Sequence, residues 1–397
     1  MNPALESWTQ AARRALPAMR AWREVFHREP ELSNQEHKTR EKVLRALSEL
    51  GIPYRTFDDL AGVVALLGAD RTGPVVALRA DMDALPLEEA TGLPYRSTVP
   101  GKMHACGHDI HMAAVLGAAM LLARERPDGG PVKLLFQPAE EDGLLGGAGP
   151  LIEHGCLERP RVDYVLGLHV DPGLPLGQVG WGVGPFMAAA DYFRIVVRGK
   201  GGHASTPQQG PDAVLVASEV VVGLQALASR VRHPVDPVVV TVGSIHGGTR
   251  HNILPEEVVL EGTVRTVRPG TRDLIESALK RRVRALAASL GARVLISYRR
   301  GYPALINPPE ATERVARAVE VELGKKNVLR LDEPMMGAED FARYLEKVPG
   351  TFLRLGVGQS TRPASLHSAS FAPDERAMVV GAATLASATL ALQGPGP

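Results

Sequence analysis

Gly62-Val-Val-Ala-Leu-Leu67 and Pro74-Val-Val-Ala-Leu-Arg79 decide the fold class. Each is a short continuous apolar run bounded by Gly, Pro or Asp, the pattern of a strand buried on both faces. Residues 132–136 and 162–169 repeat that pattern downstream. Around them the period changes to that of helices. Residues 5–16, 19–28 and 113–126 carry apolar side chains at helical spacing. Ser33 with Glu36 reads as a capping box opening a helix that runs through Leu50, and Gly51 ends it. Strands alternating with helices predict an α/β domain around a central mixed sheet flanked by helices.

A second unit interrupts this one. Residues 186–199 read as a strand and 211–230 as a helix. Residues 237–246 and 258–267 read as strands about a turn, 271–290 as a helix and 292–299 as a strand. That βαββαβ order is the order of a ferredoxin-like α+β unit. Asn307-Pro-Pro309 marks the return, after which residues 310–392 supply two more helices, a strand over 351–357 and a final Ala-rich helix. A Gly-Pro tail follows at 394–397. The expected organisation is a main domain in two parts, 1–185 and 302–397, with an inserted domain over 186–301.

Composition narrows the function classes. The chain has 397 residues, 45% apolar and 22% charged, ordinary for a soluble protein of two or three domains. A net charge of +1 argues against a nucleic-acid binder, which shows a basic excess. Two cysteines, Cys106 and Cys156, exclude a disulfide-dense scaffold and a four-cysteine zinc ribbon, but not a thiolate in a mixed metal site. Residues 1–10 lack the basic start and apolar run of a signal peptide. The longest apolar stretches, near 113–123 and 382–392, are too short or too rich in Ala, Gly and Ser to span a bilayer. The expectation is a cytoplasmic protein with no membrane partner.

The chemistry clusters in Met103-His-Ala-Cys-Gly-His-Asp-Ile-His111. Cys106 and His108 flank a glycine, so the backbone can turn both side chains to one point. A thiolate with an imidazole suits Zn, Mn, Co or Ni better than Mg or Ca; a buried Cys beside capping histidines is the plainer alternative. Glu140-Glu141 follows the strand over 132–136, where open α/β sheets bind ligands. Paired carboxylates need a cation or a raised pKa, so one can bind metal while the other acts as base, unless the pair is only a solvated acidic loop. His169 ends a strand, and His367 follows one through a polar loop; a turn cap and a surface histidine are their alternatives. Jointly, Cys106, His108, Glu140, Glu141, His169 and His367 fall at element ends outside the inserted unit. They could hold two metals if Cys106 bridges them.

Further stretches complete a family pattern: His27-Arg-Glu-Pro-Glu-Leu-Ser33, Arg79-Ala-Asp-Met-Asp-Ala-Leu-Pro86, Phe136-Gln-Pro-Ala-Glu-Glu141, Gly199-Lys-Gly-Gly-His-Ala-Ser-Thr-Pro207, Met336-Gly-Ala-Glu-Asp-Phe341 and Leu366-His367. In this order, and over nearly the whole chain, they resemble the M20 metallopeptidases and amidohydrolases. The likeness is to the subgroup of aminoacylase, hippurate hydrolase and indoleacetic-acid-conjugate hydrolase type. The resemblance implies two divalent transition metal ions (Zn, Mn, Co or Ni) bridged by Cys106. His108 and His169 would complete one site, and Glu141 and His367 the other. Glu140 would be the general base for hydrolysis of the amide bond of small-molecule N-acyl amino acids. The wider family has a ligand His where this chain has Asp81, a departure shared with the subgroup. Asp83 is read as orienting a ligand, with packing as its alternative.

The resemblance also makes the inserted unit a lid that supports a homodimer or homotetramer. His203 would reach a neighbouring subunit's site and polarise the scissile carbonyl, while Asn252 and Arg265 would bind the substrate carboxylate. For Arg265 a surface cation on a strand is the alternative. A dipeptidase or aminopeptidase of the same family is the competing enzyme reading. A non-catalytic binding homologue is the remaining one, although every ligand position is filled.

Overall fold

A computed structural model describes residues 7–125, 129–358 and 365–394. The expected helix ends at residues 5–6 and 126, and the tail over 395–397, lie outside them. Eight strands form the central sheet in the order Tyr54–Thr56, Val63–Leu67, Val132–Gln137, Val76–Asp81, Tyr164–Pro175, Gly350–Gly358, Val179–Trp181 and Val328–Arg330. The four middle strands run parallel, and antiparallel pairs join them to their neighbours on both sides, so the sheet is mixed. The two runs that opened the sequence reading are strands in it, and the second is buried at every residue.

One sheet face is covered by the helices Trp8–Arg28, His37–Glu49, His108–Glu125, Pro309–Leu323 and Ala377–Gln393. The other packs on the short helices Ala148–Glu153 and Ala342–Leu345 and on Phe186, Met187 and Leu305. His108–Glu125 is apolar nearly all round, as expected for a helix sandwiched between sheet and helices. Two local readings need correction. The helices expected over 5–16 and 19–28 are one, Trp8–Arg28, with Pro17 inside it. Its buried stripe of Ala11, Ala12, Ala15, Met19, Phe26 and His27 continues through the proline, so packing outweighs the missing hydrogen bond. Ser33 and Glu36 form no capping box: the helix begins at His37, Glu36 caps nothing with its side chain, and both side chains turn toward the site instead. The Glu31 carboxylate accepts from the Thr39 amide in their place.

The smaller sheet has the order Val238–His246, Glu257–Thr266, Ala189–Arg198, Arg293–Arg300, all antiparallel, with helices Ala213–Arg230 and Pro269–Ser289 on one face. This is the ferredoxin-like topology. The strand expected over 186–199 is two strands. Gly184–Met187 pairs with Leu305–Asn307, so the two chain crossings between the sheets zip together, and the small sheet proper starts at Ala189. Ala213–Arg230, beyond the two apolar stretches noted in the sequence, is long and apolar enough by composition to cross a bilayer. Val216, Ala217, Val220, Leu224 and Leu227 bury one face of it, while Val214, Leu215 and Val222 remain exposed.

Candidate active site

The site forms where the middle strands of the central sheet end. Gly107, at φ +83°, makes the turn between Cys106 and His108; a Cβ there would lie 2.6 Å from Val170 Cγ2. Glu140 and Glu141 leave the Val132–Gln137 strand through Ala139, held at φ +56°. His169 stands on the Tyr164–Pro175 strand. His367 has φ +60°, and its amide donates to the Ala105 carbonyl, tying its loop to the cysteine loop. Left-handed backbone at two non-glycine positions of one site is the kind of strain that surrounding contacts must impose.

These residues converge as two triads that share one thiol. Ligand-capable atoms of Cys106, His108 and His169 lie within 4.8 Å of one another, as do those of Cys106, Glu141 and His367. Cys106 Sγ is 3.3 Å from His169 Nε2, and His367 Nε2 is 3.1 Å from Glu141 Oε1. Both partner histidines are oriented through their other nitrogen. His108 Nδ1 lies 2.8 Å from the Asp83 carbonyl and His169 Nδ1 2.8 Å from the Val170 carbonyl. A carbonyl only accepts, so each Nδ1 carries a proton and Nε2 is the nitrogen left for the cluster.

The electrostatics call for cations. Burial, then Glu141 and Glu140, push the Cys106 thiol well above its ordinary range. His108 Nε2 is buried with no hydrogen-bond partner. Burial opposes its charge, yet Asp81 and Asp83 hold its pKa at about 10. Glu140 is 6% exposed and is raised well above the carboxylate range by burial, Glu339, Glu141 and Asp340. A thiol, two imidazoles and adjoining carboxylates in one buried cluster fit two thiophilic divalent ions, which would compensate every one of these shifts. The donor set therefore fits the dinuclear expectation.

Around the cluster lies a shell that the sequence reading left largely unassigned. The Asp83 carboxylate accepts from Ser33 Oγ at 2.7 Å and from the Glu141 amide at 2.9 Å, which ties it to the loop that carries Glu141. Glu36 accepts from the Ala139 amide at 2.7 Å. His111 completes the cysteine motif without being free to ligate: Nδ1 meets Asp81 at 2.6 Å, and Nε2 accepts from the Val170 amide at 3.0 Å. Arg79 is fully buried between Asp81, Glu339 and Asp340, and neutralises carboxylates that otherwise press on Glu140. Tyr302 donates to the Glu140 carbonyl at 2.7 Å and accepts from the Gly143 amide at 2.8 Å. The Arg79 and Glu339-Asp340 motifs were visible as patterns; Tyr302 carried no sequence signal.

A cavity of about 440 Å³ opens onto Cys106, Glu140, Glu141, His169 and His367 and reaches Arg265 from the smaller sheet. His203 and Asn252 are not part of its wall. Both are exposed, at a small two-stranded antiparallel sheet where Gly202–His203 pairs with Ile253–Leu254. The Ala204 amide donates to the Asn252 carbonyl there, and Ser205 Oγ sits 2.7 Å from His203 Nδ1. Within this chain, the structure joins Arg265 to the cluster and leaves His203 and Asn252 outside it.

The chain is similar to known proteins over nearly its whole length. The chain is 38% identical to thermostable carboxypeptidase 1 of Saccharolobus solfataricus over 376 residues, covering 94% of each. It is 41% identical to the N-acetyl-L-cysteine deacetylase of Bacillus subtilis over 360 residues, 90% of this chain and 84% of that one. A solved Bacillus subtilis structure, described as a dinuclear metal binding peptidase from the M20 family, superposes with a TM-score of 0.82 at 33% identity, covering 96% of this chain and 99% of that one. Residues 77–391 match peptidase family M20/M25/M40. With a thiol-bridged pair of triads at the strand ends and these relatives over nearly its whole length, the chain belongs to peptidase family M20/M25/M40.

Proposed function

We propose that this protein hydrolyses the amide bond of N-acyl amino acids, with Glu140 as general base. The observation that carries the reading is the pair of triads sharing Cys106, with the Glu140 carboxylate within 4.8 Å of ligand atoms of His108 and Glu141 but in neither triad. Two divalent cations held by Cys106, His108 and His169 and by Cys106, Glu141 and His367 would supply Lewis acidity and acidify a water. Glu140 takes that water's proton and returns it to the leaving nitrogen. Tyr302 and the Asp83–Ser33 pair hold the loop that carries it. Arg265 binds the substrate carboxylate through its planar fork. The relatives named as a deacetylase of N-acetyl-L-cysteine and as a carboxypeptidase both cleave an amide next to an amino acid, which supports this class.

The 186–301 unit is proposed to act as lid and as dimer contact. Val214, Leu215 and Val222 are exposed on Ala213–Arg230, a helix that packs against the edge strand Val238–His246, and a second copy would cover them. His203 and Asn252 are exposed and do not line their own chain's cavity, which leaves them available to a partner's site.

The test is a panel of N-acetyl and N-benzoyl amino acids against free dipeptides, assayed on metal-free protein reloaded with Mn, Co, Zn or Ni. Turnover of the acylated compounds is expected, with Glu140→Gln losing about 10³-fold or more in kcat at unchanged metal content. Wild-type rates in that variant would remove Glu140 from the mechanism. Preference for free dipeptides would shift the reading to a dipeptidase.

A further inference from the structure

Arg354 is the half-buried cation of the cavity wall whose hydrogen bonding is unfinished among the described residues. It lies on the Gly350–Gly358 strand, in register with His169 on the neighbouring parallel strand. Paired positions on adjacent strands face the same side, and so do residues two apart on one strand. His169, Asp171 and Arg354 therefore share one face, and all three line the cavity. The Arg354 side chain is 12% exposed. Its Nη1 meets Asp171 at a long 3.4 Å, and its Cζ stacks 4.9 Å from the centre of the Phe186 ring. Nε and Nη2 are buried with no partner at all.

Those two atoms form the edge of a guanidinium that grips a carboxylate through two parallel hydrogen bonds. Leaving them unmade is costly in a buried place. The single long contact to Asp171 gives little hold, and Asp171 already accepts from the Gly173 amide at 2.7 Å. Turned toward the cavity that Arg354 lines, that free edge would meet a bound ligand. The same wall holds Met187, Met335 and Phe352, an apolar bed for a short aliphatic arm. Arg265 is the separate cation assigned to the substrate's α-carboxylate.

We infer that Arg354 reads a second carboxylate on the substrate, so that the preferred substrates of this site are dicarboxylates carried over the Met187–Met335–Phe352 wall. The carboxylate can belong to the acyl arm, as in an N-succinyl amino acid, or to the side chain of an acidic amino acid. The inference rests on the amidohydrolase reading above and deepens it.

The experiment compares kcat/KM of the metal-reloaded enzyme on N-acetyl-L-leucine, N-acetyl-L-glutamate and N-succinyl-L-leucine. At least about a tenfold preference for one of the two dicarboxylates is expected, residing mainly in KM, the size of effect that a charge-assisted bidentate contact provides. Which of the two wins identifies the half of the substrate that Arg354 reads. Arg354→Gln should collapse that ratio, and Arg354→Lys should restore part of it. Equal or lower kcat/KM on both dicarboxylates in the wild type, or a ratio surviving in Arg354→Gln, overturns the inference while leaving the amidohydrolase reading standing. If no compound is turned over, that reading fails separately. Calorimetric binding of the same three compounds to the wild type then decides on Arg354: tighter dicarboxylate binding supports it and equal binding refutes it.

Discussion

Replacing Arg79 by Met tests the charge balance beneath Glu140. The guanidinium is 1% exposed and meets Asp81 at 2.6 Å, Glu339 at 2.8 Å, Asp340 at 2.9 Å and Gln137 at 2.9 Å. Met fills most of the vacated volume, so the loss is chiefly electrostatic. Removing one member of a buried ion pair costs about 3–5 kcal/mol, because a charge is left without its counter-ion. Three carboxylates lose theirs here, but Asp340, pushed up to about 7 by burial against the pull of Arg79, relieves part of the strain by taking a proton. The expected loss at neutral to basic pH is therefore about 4 kcal/mol rather than a multiple of it. Its pH dependence has a definite sign. A carboxyl whose folded pKa lies above its unfolded one stabilises the fold fully below the unfolded value, and less as pH rises through the folded value. Arg79 holds Asp340 down, so without it the folded pKa climbs further, at about 1.4 kcal/mol per unit once the pH exceeds it. The difference between wild type and variant should shrink toward about pH 5 and grow toward about pH 9. Urea unfolding of both metal-free proteins across that range measures it. An equal difference at every pH would refute the charge argument and leave Arg79 as a packing residue.

Tyr302→Phe keeps the ring and removes the bonds to the Glu140 carbonyl and Gly143 amide; kcat should fall about tenfold, with metal content and KM little changed, the cost of one anchoring hydrogen bond. An unaltered kcat would show that the loop is held by other contacts. His27 sits between Asp109 and Glu89, with Arg23, Tyr95 and His104 also facing it; burial opposes its charge, but the two carboxylates raise its pKa to about 9. Its stabilising contribution is present below the unfolded value near 6.5 and is lost as pH rises through about 9, so thermal stability should fall over that window, and His27→Gln should flatten the fall. Under the proposed dimer, mixing His203→Ala with Glu140→Gln subunits should restore part of the activity that each lacks, because a mixed dimer would assemble one intact composite site. No recovery after verified subunit exchange would place His203 outside catalysis.

The fold was legible where one force dominated. Apolar runs bounded by breakers marked the central strands, and the βαββαβ order marked the smaller sheet, because burial on a sheet leaves a pattern in neighbouring residues. The triads were legible because Cys106, His108, Glu141, His169 and His367 are chemically distinctive; the expectation that His169 ends its strand was not met, since that strand runs on to Pro175. Local rules misled where tertiary partners competed for the same side chains. Ser33 and Glu36 have the spacing of a helix cap, but Asp83 and the Ala139 amide lie within reach and claim them. Pro17 has the mark of a helix break, but the buried stripe around it decides otherwise. Tyr302 and Arg354 were invisible because their roles arise from chain crossings and strand register, which no short window of sequence records.

The cysteine loop and the His367 loop, joined by the amide of His367 and the carbonyl of Ala105, bring together ligands that bracket the entire smaller unit along the chain. Ions seated there would act as a removable cross-link between the first and last parts of the polypeptide, closing a long loop whose entropy the unfolded chain would otherwise keep. A growing chain could not complete that cross-link until its final segment had emerged. A truncated one would never complete it, so metal content would report chain integrity as well as readiness for chemistry.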